Sequence, residues 1–470
     1  MGDHAGNKWI LVAQARDEKE VEMSRWHDIY RSKLTTPEEA VKGIRDGDRV
    51  FCSGASSTPV ALLEALCKRA LAGEIENVQM GSFIILAPIF DILKPELQRN
   101  LLIDNYYASP LDRSALAQGL MTHTPYHFHQ VTRLATEDVG YRKLMVQTGP
   151  MDENGYLNLG LFANYLDVVD RLDEIYVEVN EKQPIVHGLN WLHVSQVTRV
   201  VENHHSVFAL PPESVSDVDR AIAENIIDLI SDGSTVQLGI GGTTNAIGEL
   251  LLEKKHLGCH TEMMGDAYMK LFEAGALDNT RKNFHRYQML CYFGLGSQEL
   301  YDWMDGNPMI YLSPISYNND PYVIGRNDNL VSINTTLEID ITGQCASESF
   351  GPIQYTATGG QVDFTRGAWL SRGGKAFIVT PSTVQDKKSG ETVSKIVPQL
   401  RPGAVVTLTR TDVMYVATEY GCVQLKGRSL RERARALISV AHPDFRGELR
   451  DYARDVKYFI LPEHDPLAGE

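Results

Sequence analysis

Apolar positions recur along the chain in two rhythms. Short apolar runs bounded by Gly and Pro turns read as strands: EIYVEV (Glu174 to Val179), KAFIVT (Lys375 to Thr380), AVVTLT (Ala404 to Thr409) and VMYVAT (Val413 to Thr418). Elsewhere the apolar residues fall three and four apart. In DVDRAIAENIIDLI, the residues Ala221, Ile222, Ile226, Ile227 and Ile230 share one face, which predicts a packing helix without chemistry of its own. SLRERARALISVA (Ser429 to Ala441) reads the same way, with Ser429 at the N-cap and its arginines toward solvent.

Strands alternating with helices predict an α/β chain, and an internal repeat sharpens that expectation. Asp46 to Leu66, DGDRVFCSGASSTPVALLEAL, and Asp232 to Leu252, DGSTVQLGIGGTTNAIGELLL, share one order of features. Each runs from Asp-Gly through a short strand and a small-residue turn into an apolar-periodic helix. Two such openings of a βαβ unit predict two related open-sheet α/β domains. The break is expected near Leu210-Pro211-Pro212-Glu213-Ser214, which gives domains of 1–216 and 217–470.

Composition narrows the class. With 470 residues, 43% hydrophobic and 23% charged, the chain can bury its cores without metal or disulfide staples. A formal charge of −16 repels nucleic acid and anionic membrane, so neither is an expected partner, and an anionic ligand must meet a local cationic patch. Cys52, Cys67, Cys259, Cys291, Cys345 and Cys422 are scattered without a C-x-x-C pair and read as idle thiols in a reducing compartment. The segment MGDHAGNKWILVAQARDEKE holds too short an apolar run for a signal peptide. Nowhere do the roughly 20 consecutive apolar residues of a membrane span occur. A cytoplasmic protein is expected.

Four segments carry candidate chemistry. In QLGIGGTTNAIG (Gln237 to Gly248), glycines between a strand and a helix let backbone N–H groups face an anion, or serve the turn alone; the spacing is wrong for a dinucleotide fingerprint. In LGCHTEMMGDAYMKLFEAGAL (Leu257 to Leu277), Glu262 sits at an expected strand-to-helix junction. The positive helix end there would lower its pKa and keep it ionised and nucleophilic; the competing reading is a common first-turn acid capped by Thr261. YTATGGQVDFTRGAWLSRGGKAFIV (Tyr355 to Val379) gathers Gly359-Gly360, Gly373-Gly374, Arg366, Arg372 and Lys375, a donor patch suited to a phosphate-bearing ligand or an ordinary charged turn. In VSINTTLEIDITGQCASES (Val331 to Ser349), Asn334 can hold a carboxylate or a carbonyl oxygen, or cap a turn. His123, His127, His129, His204 and His205 read as chance clustering rather than zinc ligands, since no HExxH helix accompanies them.

Together these segments, with DENGYLNLG, YVEVNEKQP, TEYG and AHPDFR, resemble the acetyl-CoA hydrolase/transferase family over about Leu34 to Arg450, in particular its 4-hydroxybutyrate and butyryl-CoA:acetate CoA-transferase branch. The resemblance implies two related CoA-transferase (NagB/RpiA-like) domains with the active site between them. It places the nucleophilic glutamate at Glu262, a supporting amide at Asn334 and an oxyanion-hole backbone at Gly360. Coenzyme A binding is expected from Gly239, Gly241, Gly242, Gly359, Gly360, Gln361, Asp363, Phe364, Arg366 and Lys375. Ala357 stands where the family's Gly-x-Gly-Gly-Gln motif has its first glycine.

The implied reaction moves coenzyme A from an acyl-CoA to a small carboxylic acid through a glutamyl-CoA thioester. Coenzyme A is then a substrate; no cofactor and no metal is expected, and the family suggests a homo-oligomer, a dimer or a dimer of dimers. Acyl-CoA hydrolysis by the same glutamate and non-catalytic coenzyme A binding are the alternatives.

Overall fold

The computed structural model describes residues 25–465 except 86–92, 164–165, 212–213, 240 and 387–388. The signal-peptide expectation for the first 20 residues, Pro212-Glu213 of the expected break and Ile240 of the glycine turn therefore lie outside the described residues.

Two open sheets organise the chain. The first holds β1 (Arg49–Cys52), β2 (Val78–Ser82), β3 (Leu101–Asn105), β4 (Thr122–His123), β5 (Lys143–Thr148), β6 (Glu174–Val179) and β7 (Arg199–Glu202) in the spatial order 4-3-2-1-5-6-7. Every pairing in it is parallel. The second holds β8 (Thr235–Leu238), β9 (Gly258–Cys259), β10 (Leu330–Thr335), β11 (Lys375–Val379), β12 (Tyr415–Thr418) and β13 (Gly421–Gln424) in the order 9-8-10-11-12-13. All are parallel except the closing β12–β13 pair.

The sequence repeat maps onto equivalent places in the two sheets. β1 lies between β2 and β5, and β8 between β9 and β10, so each repeat opens the strand order at a switch point. Gly47 (φ +76°) and Gly233 (φ +78°) make the same left-handed turn into these strands, a conformation that disfavours any residue with a Cβ. Each strand then feeds a helix, Val60–Leu71 or Gly242–Leu251, whose apolar face is buried. In open α/β sheets ligands gather beyond the C-terminal strand ends at such switch points.

Between the sheets lies one shared apolar core. Phe83 of the first half stacks on Phe128 (centroids 5.2 Å apart) and meets Phe293 of the second half edge-on at 5.7 Å. Phe162 packs against Tyr292 at 4.9 Å. The helix Asp217–Ile227, opened by a Ser216–Asp219 capping box, buries Ile222 and Ile226 as its pattern predicts; Ala223 is buried beside them, while Ala221 and Ile227 are half-buried and Ile230 is buried past the helix end.

Two expectations change. AVVTLT forms no strand: Val405 and Val406 are exposed, the Val405 N–H is taken by Ser349 Oγ, and only Leu408 makes a β-bridge, to Cys345. In the helix Leu430–Val440, Ser429 caps as expected, but Arg433 is buried and donates to the carbonyls of Arg410 and Thr342 instead of facing solvent.

Candidate active site

Glu262 sits where the chain leaves one sheet for another. Beyond β9 the backbone crosses to the short strand Met263–Met264, which pairs in parallel with Phe293–Gly294. The carbonyl of Glu262 accepts from Tyr292 N (3.0 Å) and Phe293 N (3.2 Å), so its backbone is fixed against the shared core. Its side-chain Oε2 accepts from Asn319 Nδ2 at 2.8 Å, and the Gly360 N–H donates to the carboxylate as well. Gly360 stands so close that any Cβ there would overlap Glu262 Oε2 and Asn319 Nδ2.

The walls are aromatic. The phenols of Tyr107, Tyr126 and Tyr292 are raised above their ordinary pKa first by burial, and the Glu262 charge adds to each. Tyr107 also lies against Gly359, which takes φ +54°. First-half residues thus face the second-half glutamate across the junction.

Burial dominates the electrostatics. Glu262 retains some solvent exposure, yet the packed protein around its carboxyl pushes its pKa up to about 8; Asp363 adds repulsion, and the Asn319 and Gly360 hydrogen bonds offset it in part. This corrects the expectation of a pKa lowered by a helix end. The next helix, Asp266–Glu273, begins only after the strand Met263–Met264, and it places Asp266 in its own first turn.

The other expected site residues divide. Gly360 lines the carboxylate, and Gly359 lies against Tyr107 beside it. Gln361, Asp363 and Phe364 stand behind that loop: Gln361 Nε2 donates to Thr335 O (2.9 Å), and Phe364 is fully buried against the His260 ring. Buried Asp363 accepts from His129 N (3.0 Å) and pairs with His129 Nδ1 (2.7 Å). The cationic patch does not converge. Arg366 is paired with Asp412 (3.1 Å) and Arg372 with Asp328 (2.5 Å), while Lys375 donates to Leu229 O (2.8 Å) from the opposite end of β11. A helix and a strand separate these cations more than their spacing suggested.

Asn334 also departs from expectation. Its Nδ2 donates to Gln237 Oε1 (3.1 Å) and Ser332 Oγ (2.9 Å) at the β8/β10 switch point, whereas the amide on Glu262 belongs to Asn319. Gly239 and Gly241 of the neighbouring turn line a cleft of about 240 Å³ with Met263, Gly265 and Leu295. Gly241 takes φ +122° there, but Asp219 already accepts from Thr243 Oγ1 at the start of this helix, which tells against a second anion at that end.

Sequence reading missed Asn319, Tyr107 and Arg113. The one signal for Asn319 was the polar run Asn318-Asn319-Asp320 before Pro321. Arg113 donates to Tyr355 Oη (2.8 Å) with its guanidinium carbon 3.9 Å from that ring's centre, four residues before Gly359. Among the described residues no group of three or more His, Cys, Asp or Glu could hold a metal ion, and no helix is long and apolar enough to cross a membrane.

The chain is similar to known proteins over most of its length. Residues 17–212 match the acetyl-CoA hydrolase/transferase N-terminal domain and 296–453 its C-terminal domain. A succinyl-CoA:cyclohexane-1-carboxylate CoA transferase from Geobacter metallireducens is 40% identical over 90% of this chain and 96% of its own. A 4-hydroxybutyrate coenzyme A transferase from Clostridium kluyveri is 40% identical over 90% and 98%. The crystal structure of RipA from Yersinia pestis superposes with a TM-score of 0.87 at 37% identity, over 92% of this chain and 100% of that one.

Proposed function

The chain belongs to the acetyl-CoA hydrolase/transferase family and is a CoA-transferase, and from that premise we propose that it works through a covalent thioester on Glu262. One observation carries the proposal. Oε2 of Glu262 is held by Asn319 with Gly360 against it, so the attack falls to the other oxygen, Oε1.

The chemistry follows from that asymmetry. Oε1 attacks the donor thioester carbonyl, the C–S bond breaks, and a mixed anhydride and the coenzyme A thiolate result. The thiolate then attacks the Glu262 carboxyl carbon. Negative charge develops on Oε2, which the Asn319 amide already meets and against which Gly360 packs, and collapse expels the first acid as its carboxylate. An acceptor carboxylate reverses both steps and leaves with coenzyme A. Over the full exchange one thioester is consumed and one is formed, and the anhydride holds the acyl activation between them, so the steps as written draw on neither ATP nor a metal.

Water in the site would divert the anhydride to hydrolysis. The aromatic wall of Tyr107, Tyr126 and Tyr292 supports transfer over hydrolysis. For substrates we favour a short acyl group such as 4-hydroxybutyryl or butyryl with acetate as acceptor, a reading supported by the 40% identity to the 4-hydroxybutyrate enzyme. Purified protein given butyryl-CoA with and without labelled acetate tests this. Label entering acetyl-CoA faster than free coenzyme A accumulates is the expected result, and acetate-independent release of coenzyme A would overturn it.

A further inference from the structure

Three consecutive residues, His260, Thr261 and Glu262, are each tied to the pair Asn318-Asn319. The His260 ring is fully buried, with Nε2 2.8 Å from Asn318 O and Nδ1 2.8 Å from Asn327 Nδ2. Asn318 Nδ2 reaches both Thr261 O (2.8 Å) and Asn319 Oδ1 (2.9 Å). Asn319 Nδ2 reaches Glu262 Oε2.

Donor and acceptor assignments follow from this network. Burial and the nearby Lys282 push the His260 pKa down to about 3, so the ring is neutral. Its Nδ1 accepts from the Asn327 amide, so the proton sits on Nε2 and is donated to Asn318 O. Asn318 spends its two amide N–H groups on Thr261 O and Asn319 Oδ1, and its own Oδ1 faces Ser313 Oγ at 3.4 Å. An asparagine amide can turn over, and in the turned state Asn319 would present an oxygen to the Glu262 carboxylate.

We propose that Asn318 is a positioning residue for acyl transfer: by donating to Asn319 Oδ1 it keeps the Asn319 NH₂ on Glu262, while neutral His260 anchors the Asn318 carbonyl. The inference rests on the reading of Glu262 as nucleophile. Asn318 touches no reacting atom; its side-chain link to the Glu262 carboxylate runs through Asn319.

The test compares Asn318→Asp, Asn319→Ala and their combination, with Glu262→Gln alongside, by steady-state kinetics across pH. A carboxylate at 318 accepts where the amide donated, so it favours the turned Asn319. The kcat of Asn318→Asp is expected to fall toward the roughly 100-fold to 1,000-fold loss typical of one missing oxyanion donor, with KM for the acyl-CoA unchanged. Placed on Asn319→Ala it costs far less, because the route through Asn319 is gone and only the bond to Thr261 O is left to lose. A purely structural role would give the same additional loss in both backgrounds, and that result overturns the inference, as does a wild-type kcat in Asn318→Asp. If Asn318→Asp does not fold, Asn318→Ala, which removes the donor without adding charge, is taken through the same cycle. An inactive Glu262→Gln beside additive losses sinks the positioning role alone; a near wild-type Glu262→Gln sinks the nucleophile reading beneath it.

Discussion

Asn319 Nδ2 lies 2.8 Å from Glu262 Oε2 although 57 positions separate the two residues in the chain. The helical turn Ile315–Asn318 delivers the amide, and the crossing from β9 to Met263–Met264 delivers the carboxylate. Removing the amide in Asn319→Ala should lower kcat by roughly 100-fold to 1,000-fold. Since its hydrogen bond lowers the Glu262 pKa, the acidic limb of the rate profile should also move to higher pH. Rates of the two proteins across pH check both effects.

The pH dependence of the unaltered enzyme follows from burial. A free-enzyme Glu262 pKa of about 8 means that the nucleophilic form grows as pH rises toward 8. The kcat/KM for acyl-CoA should therefore climb through the neutral range and level off above it. A profile already flat from pH 5, as an ordinary carboxylate would give, contradicts this.

Stability should show the same shift with a defined sign. The Glu262 pKa is raised on folding from 4.5 to about 8, so folding favours its protonated form. The penalty for ionising it is absent below the unfolded value, builds between the two and is complete above the folded one. Glu262→Gln should thus raise Tm relative to the unaltered protein at pH 9, with the gain disappearing by pH 4, as calorimetry can measure.

The glycine loop separates two substitutions. Gly360→Ala drives a Cβ into Glu262 Oε2 and the Asn319 amide, so acyl exchange should be lost. Ala357 is buried but takes no positive φ, so its backbone suits any L-residue. Ala357→Gly should leave the rate near that of the unaltered protein and cost up to about 1 kcal/mol of stability through the more flexible unfolded chain. Paired activity and denaturant-unfolding measurements distinguish the two.

Much of the fold was legible because strands and helices are written locally. The Asp-Gly, strand, turn, helix repeat predicted two open sheets, and Gly47 and Gly233 make matching turns. AVVTLT misled because β-branched residues mark a strand only where a partner edge exists, and here that edge is absent beyond the Leu408 bridge. Glu262 and Gly360 were legible through the family resemblance, since each sits inside a short recognisable motif. Asn319 was not, because the polar run Asn318-Asn319-Asp320 does not say which residue it will meet on folding. The cations misled for a related reason. Proximity in sequence does not say that Arg366 will meet Asp412, or that Lys375 will begin a strand whose other end adjoins the site.

The nucleophile itself can be trapped. Protein incubated with an acyl-CoA and no acceptor, then reduced with borohydride and digested, should show the peptide containing Glu262 with its carboxyl converted to an alcohol, as a glutamyl thioester requires. An unmodified Glu262 peptide in enzyme shown to be turning over would contradict the covalent route.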